Sequence, residues 1–545
     1  MTNRQVASVF NKLAKVMELH QENPFKIRSY SSAYNTIRRH PDEVIALEHD
    51  QLTAIKGIGK NIADKIIELR ETGDLQTLQR YLQKTPPGIV EMLSIKGLGA
   101  KKILTIWNDL DIQTPGELLY ACQENRLLDL KGFGAKTQAA IQAQIEYYLD
   151  SKGSYLYGHI EKDAEDLKQL IQNEFVGERC EFGGLLLRKS IIVDGIHLLT
   201  TEQEHEIFEW LGELDRVEII EDDFYFNGAK VIIEQVDREQ LEEKMWQDAG
   251  STAFIAEWNQ RFGLTPDLND SKALFENHGL AYIPVESREL EVAIDRASDA
   301  SFSLVDEGDI KGVLHTHTKW SDGTASVLEM AKESQRLGYE YLLVTDHSQS
   351  AFYANGLKPD RVLAQMEEIE SIEHELEHFR IFKGIECDIL SDGTLDYDDG
   401  LLERFDCVIA SVHSNLRMPL EKAQERLLKA IEHPATKILG HMTGRLLLSR
   451  PGYPVDHRII IEACAQHGVC IELNANPYRL DMDWTWIPYA MECGVQISIN
   501  PDAHSLAGIQ DIRYGVLAAR KGLLTAASCL NHLSASEFED WCRKK

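Results

Sequence analysis

The sequence predicts a multidomain protein in which a helical N-terminal region and an α+β middle region precede a C-terminal barrel of seven parallel strands. Three observations lead to this prediction. The chain has 545 residues, which is more than a single hydrophobic core normally organises. A Gly-x-Gly segment occurs three times within the first 150 residues. From Lys311 onwards, apolar strand-like runs alternate with amphipathic helical runs, as in an α/β barrel.

The overall composition is typical of a folded chain, with 43% hydrophobic and 27% charged residues. No apolar run reaches the roughly 20 residues that a membrane helix needs, and the first residues lack the apolar segment of a signal peptide. The cysteines form no C-x-x-C pair, which disfavours a disulfide framework and a zinc knuckle. We therefore expect a cytoplasmic protein with no membrane partner.

The negative charge is unevenly distributed along the chain. The net charge of −31 argues at first against a nucleic-acid partner. However, residues 1–150 contain 19 basic and 18 acidic residues, so the excess of carboxylates lies in residues 151–545. The N-terminal region could therefore bind a polyanion. The acidic remainder fits either a cation-binding domain or an ordinary solvated surface.

The three N-terminal repeats are LTAIKGIGKNIADKIIEL from Leu52, MLSIKGLGAKKILTIWNDL from Met92 and LLDLKGFGAKTQAAIQAQI from Leu127. Each predicts a helix, a tight glycine turn and a second helix. The free backbone amides and the positive dipole end of that second helix can hold a phosphate, and nearby lysines add positive charge. The candidate DNA-binding residues are Gly57, Gly59, Lys60, Gly97, Gly99, Lys101, Gly132, Gly134 and Lys136.

These repeats resemble the helix-hairpin-helix motif, which implies sequence-independent contacts with DNA phosphates. The stretch that precedes them, and especially the run Glu22–Arg28, resembles the N-terminal domain of family X DNA polymerases. The resemblance implies a helix-hairpin-helix DNA-binding domain over residues 1–85 and a fingers-like helix-hairpin-helix domain over 86–150. It implies a nucleotidyltransferase-like palm and thumb over 151–300 and a further domain over 308–545.

The predicted palm lacks the chemistry of that family. Family X palms have a Gly-Ser turn, an Asp-x-Asp pair and a third Asp that together bind two Mg²⁺ ions for nucleotidyl transfer. In this chain the pair falls on Gly195 and His197, and the third position falls on Ile232. Shifting the alignment by one residue does not restore the pair. We therefore expect a palm fold without DNA polymerase activity.

The barrel strands end in residue types that bind metals. In parallel barrels the functional side chains lie at the carboxyl ends of the strands. Six of the seven predicted strands end in His, Asp or Glu, which is more than isolated structural histidines would produce. The motifs that contain these residues are HTHTKWSDG, TDHS, GIECD, SVHSN, GHMTGR and PDAHS.

These motifs closely resemble the polymerase and histidinol phosphatase (PHP) domain, which implies a distorted seven-stranded barrel that binds three metal ions and hydrolyses phosphoesters. The resemblance implies a catalytic role for His315, His317, Glu386 and Asp502, with Glu386 bridging two ions. An imidazole-rich site without thiolates suits Mn or Zn, is compatible with Fe and suits Mg less well. The implied metal ligands are His315, His317, Asp322, His347, Glu386, His413, His441, Asp502 and His504.

Two further residues are candidates for catalytic roles. Arg445, just beyond His441, could hold a phosphate through its guanidinium, or could equally form a salt bridge at the barrel rim. Lys65 occupies the position of the Schiff-base lysine of family X lyase domains. The alternative for Lys65 is an ordinary solvated helical lysine.

The combined resemblance implies a Mn-dependent 3'-5' exonuclease that acts in DNA repair, including base excision repair, on 3' ends or gapped DNA, and that lacks polymerase activity. Two alternatives remain open. The barrel by itself also fits a phosphomonoesterase of the histidinol phosphatase type. The chain could instead be a non-catalytic DNA-binding scaffold in which the metals are structural.

Overall fold

The computed structural model describes residues 3–38, 40, 43–95, 97–128, 130–150, 153–220, 223–263, 271–299 and 301–544. It divides into two compact units, Met1–Leu149 and Asp150–Lys545. Among the described residues, no helix is both long and apolar enough to cross a bilayer.

The first unit is helical. The first helix, α1, packs its apolar stripe of Val6, Phe10, Leu13 and Met17 into the core of the unit, as the helical period requires. The helices are α1 (Asn3–Leu19), α2 (Pro24–Arg38), α3 (His49–Ala54), α4 (Lys60–Thr72), α5 (Gln76–Leu82), α6 (Pro87–Met92), α7 (Ala100–Leu110), α8 (Pro115–Gln123) and α9 (Ala135–Asp150).

The second unit begins with a mixed α/β region. Its strands are β1 (Tyr155–Leu156), β2 (Cys180–Phe182), β3 (Ile192–Val193), β4 (Ile196–Thr200), β5 (Val217–Ile220), β6 (Asp223–Phe226) and β7 (Ala229–Gln235). Five of them form a sheet in the order β2-β4-β7-β6-β5. A hairpin joins β6 and β7, and Asn227 and Gly228 at its turn both adopt positive φ angles, as a tight hairpin turn requires.

Seven helices belong to this region, which leads into the barrel. They are α10 (Tyr157–Glu174), α11 (Gly184–Leu187), α12 (Glu204–Leu211), α13 (Leu241–Asp248), α14 (Thr252–Phe262), α15 (Ser271–Asn277) and α16 (Val292–Ala297). Trp246, Trp258 and Phe275 form the core of the last part of this region.

The C-terminal region is a nearly closed barrel, which confirms the predicted fold class. Seven consecutive strands pair in parallel in chain order: β8 (Gly312–Thr316), β9 (Tyr341–Val344), β10 (Arg380–Asp388), β11 (Cys407–Ser411), β12 (Thr436–Leu439), β13 (Cys470–Asn474) and β14 (Ile497–Asn500). The helices are α17 (Val327–Arg336), α18 (Pro359–Ile372), α19 (Asp399–Leu402), α20 (Leu420–Ile431), α21 (His457–His467), α22 (Ile487–Glu492), α23 (Ile512–Lys521) and α24 (Ala535–Arg543).

A buried asparagine joins the first and last strands of the barrel. The side-chain amide of Asn531 donates to the carbonyls of Gly312 in β8 and Ile499 in β14, at 3.0 and 2.9 Å, while its oxygen accepts from the Ile499 amide at 2.7 Å. Thr316 also forms a parallel bridge with Ala503. The barrel is thereby held shut next to the strand ends that carry the predicted ligands.

Candidate metal centre and DNA-binding hairpins

All nine predicted ligands of the barrel lie together at the carboxyl ends of its strands. They form four overlapping groups in which the potential ligand atoms lie within 4.8 Å of one another. The groups are His317, Asp322, His347 and His504; His315, Glu386 and His441; His315, His317 and Asp502; and His347, Glu386 and His413. Eight of the nine side chains are buried or nearly so, and His413 is only partly exposed.

Glu386 is the centre of this arrangement. Its Oε1 atom lies 3.2, 3.0 and 2.9 Å from the Nε2 atoms of His315, His413 and His441. Its Oε2 atom faces the other way and lies 2.8 Å from Nδ1 of His347 and 3.6 Å from Nε2 of His317. Because each oxygen faces a different set of imidazoles, Glu386 would contribute a ligand atom to more than one group of this cluster if divalent ions were bound.

The backbone is distorted where two of these ligands sit. His315 and Asp502 have φ angles of 62° and 52°, in the left-handed region that non-glycine residues rarely adopt. The register between β8 and β9 also shifts between Val313 and Thr316, and such irregularities redirect side chains near active sites. The backbone at the ends of the first and last barrel strands thus places His315 and Asp502 beside one another, with Nε2 of His315 3.5 Å from Oδ1 of Asp502.

The charges of the site balance one another. Burial would raise the pKa of Glu386, Asp322 and Asp502, but the adjacent imidazoles lower the pKa of each carboxyl well below its ordinary value. Burial would lower the pKa of His315 and His347, but nearby carboxylates raise the pKa of each imidazole well above its ordinary value. The carboxylates stay ionised, and a divalent cation would replace the imidazolium protons that otherwise neutralise them.

Several buried ligand atoms support a metal centre. Six of them form no aligned hydrogen bond with any residue that the structure describes: Nε2 of His315, Nδ1 of His317, Oδ2 of Asp322, Nδ1 of His347, Oε2 of Glu386 and Nδ1 of His441. Buried polar atoms are normally hydrogen-bonded, so a cluster of this kind needs an explanation. A buried cluster in which imidazole nitrogens and carboxylate oxygens face one another has the ligand atoms that divalent metal ions require.

A second layer of carboxylates, which the sequence did not reveal, orients the ligands. Glu472 in β13 accepts a 2.6 Å hydrogen bond from Nδ1 of His315 and a 3.0 Å bond from the backbone amide of His441. Asp388 in β10 contacts Nδ1 of His413 at 2.7 Å. Carboxylates behind metal-binding histidines fix the ring orientation and raise ligand basicity. An acidic residue within the apolar strand CIELN was the signal that could have identified Glu472.

The loop that contains Asp322 is held by Asp346. The Asp346 carboxylate accepts from the amide of Thr318 at 2.8 Å, from the hydroxyl of Thr318 at 2.7 Å and from the amide of Ser321 at 3.0 Å. Gln365 in α18 donates to the same carboxylate. Asp346 therefore positions the neighbouring ligand loop.

Arg445 lies at the barrel rim, where its guanidinium is occupied by protein partners. Its Nε atom donates to the carbonyl of Arg479 at 2.9 Å, and its terminal nitrogens contact the Leu480 carbonyl and the Asp483 carboxylate. This geometry matches the rim salt bridge that was one of the two expectations. Another arginine, Arg479, is buried and has its Nε atom 3.7 Å from Oδ2 of Asp502. No sequence motif had drawn attention to Arg479.

The three N-terminal repeats adopt one common geometry. The first glycine of each, Gly57, Gly97 and Gly132, has a φ angle between 85° and 100°, which requires glycine. The second glycines, Gly59 and Gly99, are the N-terminal caps of α4 and α7, and Gly134 directly precedes α9. An added Cβ at any of these second glycines would meet open space. Each turn thus presents its helix N-terminus to solvent.

The lysines of the hairpins lie beside these exposed amides. Lys60, Lys101 and Lys136 occupy the first turn of α4, α7 and α9, and all three side chains are exposed. The apolar residue between each pair of glycines is buried and anchors the turn. Every hairpin therefore combines free backbone amides, a positive helix end and a lysine, as sequence-independent phosphate binding requires.

Lys65 is not a solvated surface lysine. It lies on the inner side of α4 with a side chain that is 11% exposed, and its Nζ atom donates to Oγ1 of Thr77 at 2.8 Å. The carboxylate of Glu68 lies 3.7 Å away. The expected alternative of ordinary surface exposure therefore does not hold.

In the region predicted to be a palm, an internal network occupies the place where family X palms have their carboxylate triad. His197 pairs with Ile232 across β4 and β7, and its Nε2 atom lies 3.2 Å from Oε2 of Glu234. Lys244 in α13 lies 3.1 Å from Glu234 and 3.3 Å from Asp248. Glu234 and Asp248 are thus paired with basic side chains of the protein itself.

Comparisons with known proteins agree with this organisation. Residues 1–75 match the model of a helix-hairpin-helix domain, residues 89–146 that of a SAM-like helix-hairpin-helix tandem, and residues 314–476 that of the PHP domain. The DNA polymerase/3'-5' exonuclease PolX of Bacillus subtilis is 31% identical, and the match spans 100% of both chains.

Two other similarities concern the barrel. A probable phosphatase of Caldanaerobacter subterraneus is 30% identical over 35% of this chain and 74% of its own length. The crystal structure of a histidinol phosphate phosphatase from Lactococcus lactis covers 39% of this chain and 98% of its own, with 16% identity and a TM-score of 0.30. Because the Bacillus subtilis relative matches along its entire length, the chain belongs to the bacterial PolX family, in which helix-hairpin-helix domains precede a C-terminal PHP domain.

Proposed function

We propose that this protein is a metal-dependent nuclease that removes nucleotides from the 3' ends of DNA, in gaps or single strands and without sequence preference, and that it does not polymerise DNA. The observation that supports the proposal best is the combination of a complete nine-residue ligand set in the barrel with three exposed phosphate-binding hairpins. The exonuclease activity named for the Bacillus subtilis relative supports the same substrate.

The roles of the residues follow from their positions. His315, His317, Glu386 and Asp502 would hold the reactive ions, and the remaining ligands would complete the shells of three ions. Bound divalent ions, Mn or Zn with Fe also compatible, would lower the pKa of a water molecule and neutralise charge on the phosphoryl group. Glu472 and Asp388 orient His315 and His413. We place this activity in DNA repair in the cytoplasm.

The experiment is incubation of the purified protein with Mn²⁺ and a 5'-labelled primer, alone and in a gapped duplex. We expect a ladder of products shortened from the 3' end. Replacing His315 and His317 with Ala should abolish this ladder, because the metal cluster loses ligands that would hold its reactive ions. His467→Ala, at the exposed end of α21, is the matched histidine control and should behave as the wild type does.

A phosphomonoesterase is the second candidate function, and the match of the barrel to probable phosphatases favours it. Histidinol phosphate in parallel reactions distinguishes the two. If the Mn- or Zn-loaded protein leaves every DNA substrate intact but hydrolyses histidinol phosphate, the nuclease proposal is wrong and the phosphomonoesterase hypothesis replaces it. If the protein binds DNA and metal but hydrolyses neither substrate, it is a scaffold.

A further inference from the structure

A loop beside the candidate metal centre displays an aromatic side chain to solvent. Phe352 follows the ligand His347 by five residues and is 80% exposed. Its ring lies 5.9 Å from the ring of Tyr353, at an interplanar angle of 76°. The Tyr353 ring lies 6.4 Å from the imidazole of His347. We call Phe352 and Tyr353 the aromatic rim. Their rings extend from the predicted ligand His347 to the solvent.

The loop that carries the aromatic rim is folded tightly. Ala351 and Ala354 on either side of the rim are fully buried. The amide of Gly356 donates to the carbonyl of Ala351 at 3.0 Å, and the amide of Leu357 donates to the carbonyl of His347 at 2.8 Å. An added Cβ on Gly356 would lie 2.0 Å from the Ser348 carbonyl oxygen, so the chain reverses at very close range. Phe352 therefore projects outward from a fixed backbone.

The same loop is linked to both sides of the metal centre. The hydroxyl of Ser350 donates at 2.5 Å to Asp388, which also orients His413. On the other side, the side-chain amide of Asn355 donates to the carbonyl of Trp320 at 3.3 Å, and Trp320 lies in the loop that contains Asp322. The position of the aromatic rim is thus set by the residues that position the ligands.

We propose that the aromatic rim is a nucleobase-binding subsite, in which Phe352 stacks on a base of the DNA strand whose phosphodiester lies at the metal centre. The inference rests on the proposed nuclease function. Stacking on an exposed aromatic ring is tolerant of sequence, because every base has a π face. Such a subsite selects a nucleic acid strand over a small phosphoester. Because the backbone of the loop is already fixed, only the side chain of Phe352 has to be ordered when the base binds.

The test compares the wild type with Phe352→Ala, with Phe352→Trp and with Val176→Ala, a change of a similarly exposed apolar residue outside the barrel. Mn-dependent degradation of single-stranded DNA and hydrolysis of bis(4-nitrophenyl) phosphate are measured for each. For Phe352→Ala we expect the KM for DNA to rise about tenfold with little change in kcat, since stacking contributes about this factor per base. Phe352→Trp should restore the KM, and Val176→Ala should leave it unchanged.

A binding measurement separates this proposal from the proposed function. An oligonucleotide with 2-aminopurine at its 3' terminus is titrated with each protein in EDTA, and its fluorescence should be quenched by the wild type and Phe352→Trp but not by Phe352→Ala. A wild type that quenches the probe yet degrades no DNA would refute only the nuclease function. Equal quenching and an equal KM for DNA in wild type and Phe352→Ala would refute only the stacking subsite.

Discussion

At the scale of single residues, Glu472 controls the ligand His315 from outside the metal cluster. One oxygen of the Glu472 carboxylate holds the His315 ring, and the other accepts from the His441 backbone amide. Replacing Glu472 with Gln removes the negative charge from both contacts. We expect Mn²⁺ affinity to fall about 10- to 100-fold, the usual effect of losing such a partner. Metal content after dialysis against graded Mn²⁺ concentrations measures this. Glu462→Gln on the exposed face of α21 is the control, and equal metal content in the two variants would contradict the assigned role.

Lys65 is the residue on which lyase chemistry would depend. A lysine that forms a Schiff base must be reached by the sugar aldehyde, so the buried amine of Lys65 has to exchange its contact with Thr77 for the aldehyde when a DNA end binds. We predict that borohydride traps the protein on a 5'-deoxyribose-phosphate end and that Lys65→Ala abolishes the adduct. Lys84→Ala, at an exposed lysine of the same unit, should retain it. An adduct that persists in Lys65→Ala excludes this lysine.

Asp511 makes the stability of the second unit depend on pH. Burial raises the pKa of this carboxyl to about 7, with Arg513 opposing the shift. The folded state therefore binds a proton that the unfolded state releases above about pH 4, so this contribution to stability is lost as pH rises from about 4 to 7. Asp511→Asn should raise the free energy of unfolding at pH 8 by about 2 kcal/mol. This is about half of the free energy that corresponds to the full pKa shift, because the side chain is partly exposed to solvent.

Thermal unfolding of wild type and Asp511→Asn at pH 5 and pH 8 provides the measurement. The gain in Tm should be larger at pH 8 than at pH 5, because the buried carboxylate is ionised only at the higher pH. A gain that is the same at both values would show that Asp511 does not titrate between them.

At the scale of elements, the three hairpins should determine the salt dependence of DNA binding. Replacing Lys60, Lys101 and Lys136 together with Ala removes one cation from the N-terminus of each helix, and each phosphate contact contributes about 0.7–0.9 to the slope of log Kobs against log salt. We expect the slope to become shallower by about 2 in fluorescence anisotropy with a random oligonucleotide. Lys332→Ala, on the exposed face of α17 in the barrel, should leave it unchanged. Identical slopes for the triple variant and wild type would exclude the hairpins as the DNA contacts.

At the scale of the whole molecule, we expect the region predicted to be a palm to have no polymerase activity. Gly195 stands at a triad position where an added Cβ would lie 2.5 Å from the Lys230 carbonyl oxygen, and one on Gly184 would lie 2.7 Å from Nδ1 of His197. A side chain at Gly195 or Gly184 would therefore collide with neighbouring atoms of this chain. We predict no template-dependent primer extension with deoxynucleotides and Mg²⁺ or Mn²⁺. The assay uses the His315→Ala, His317→Ala protein, and extension in it would show that the palm is active.

The sequence alone determined the architecture of the barrel and the identity of its candidate ligands. The architecture follows from the periodicity of strands and helices, and the parallel pairing brings the strand ends together, while the set of nine ligands follows from the resemblance of the motifs to the PHP domain. The glycine turns of the hairpins were equally predictable, because a positive φ angle at a glycine is a property of the local backbone.

Only the tertiary structure decided which partners these residues have. Glu472 meets His315 across 157 positions of the chain, Arg445 is held by the loop that contains Asp483, and Lys65 turns inward towards Thr77. Glu234 and Lys244 pair in the α/β region of the second unit, while Phe352 remains exposed in the loop that follows His347. No sequence period encodes such contacts, because they arise only when separate elements pack and place their side chains within a few ångströms of one another.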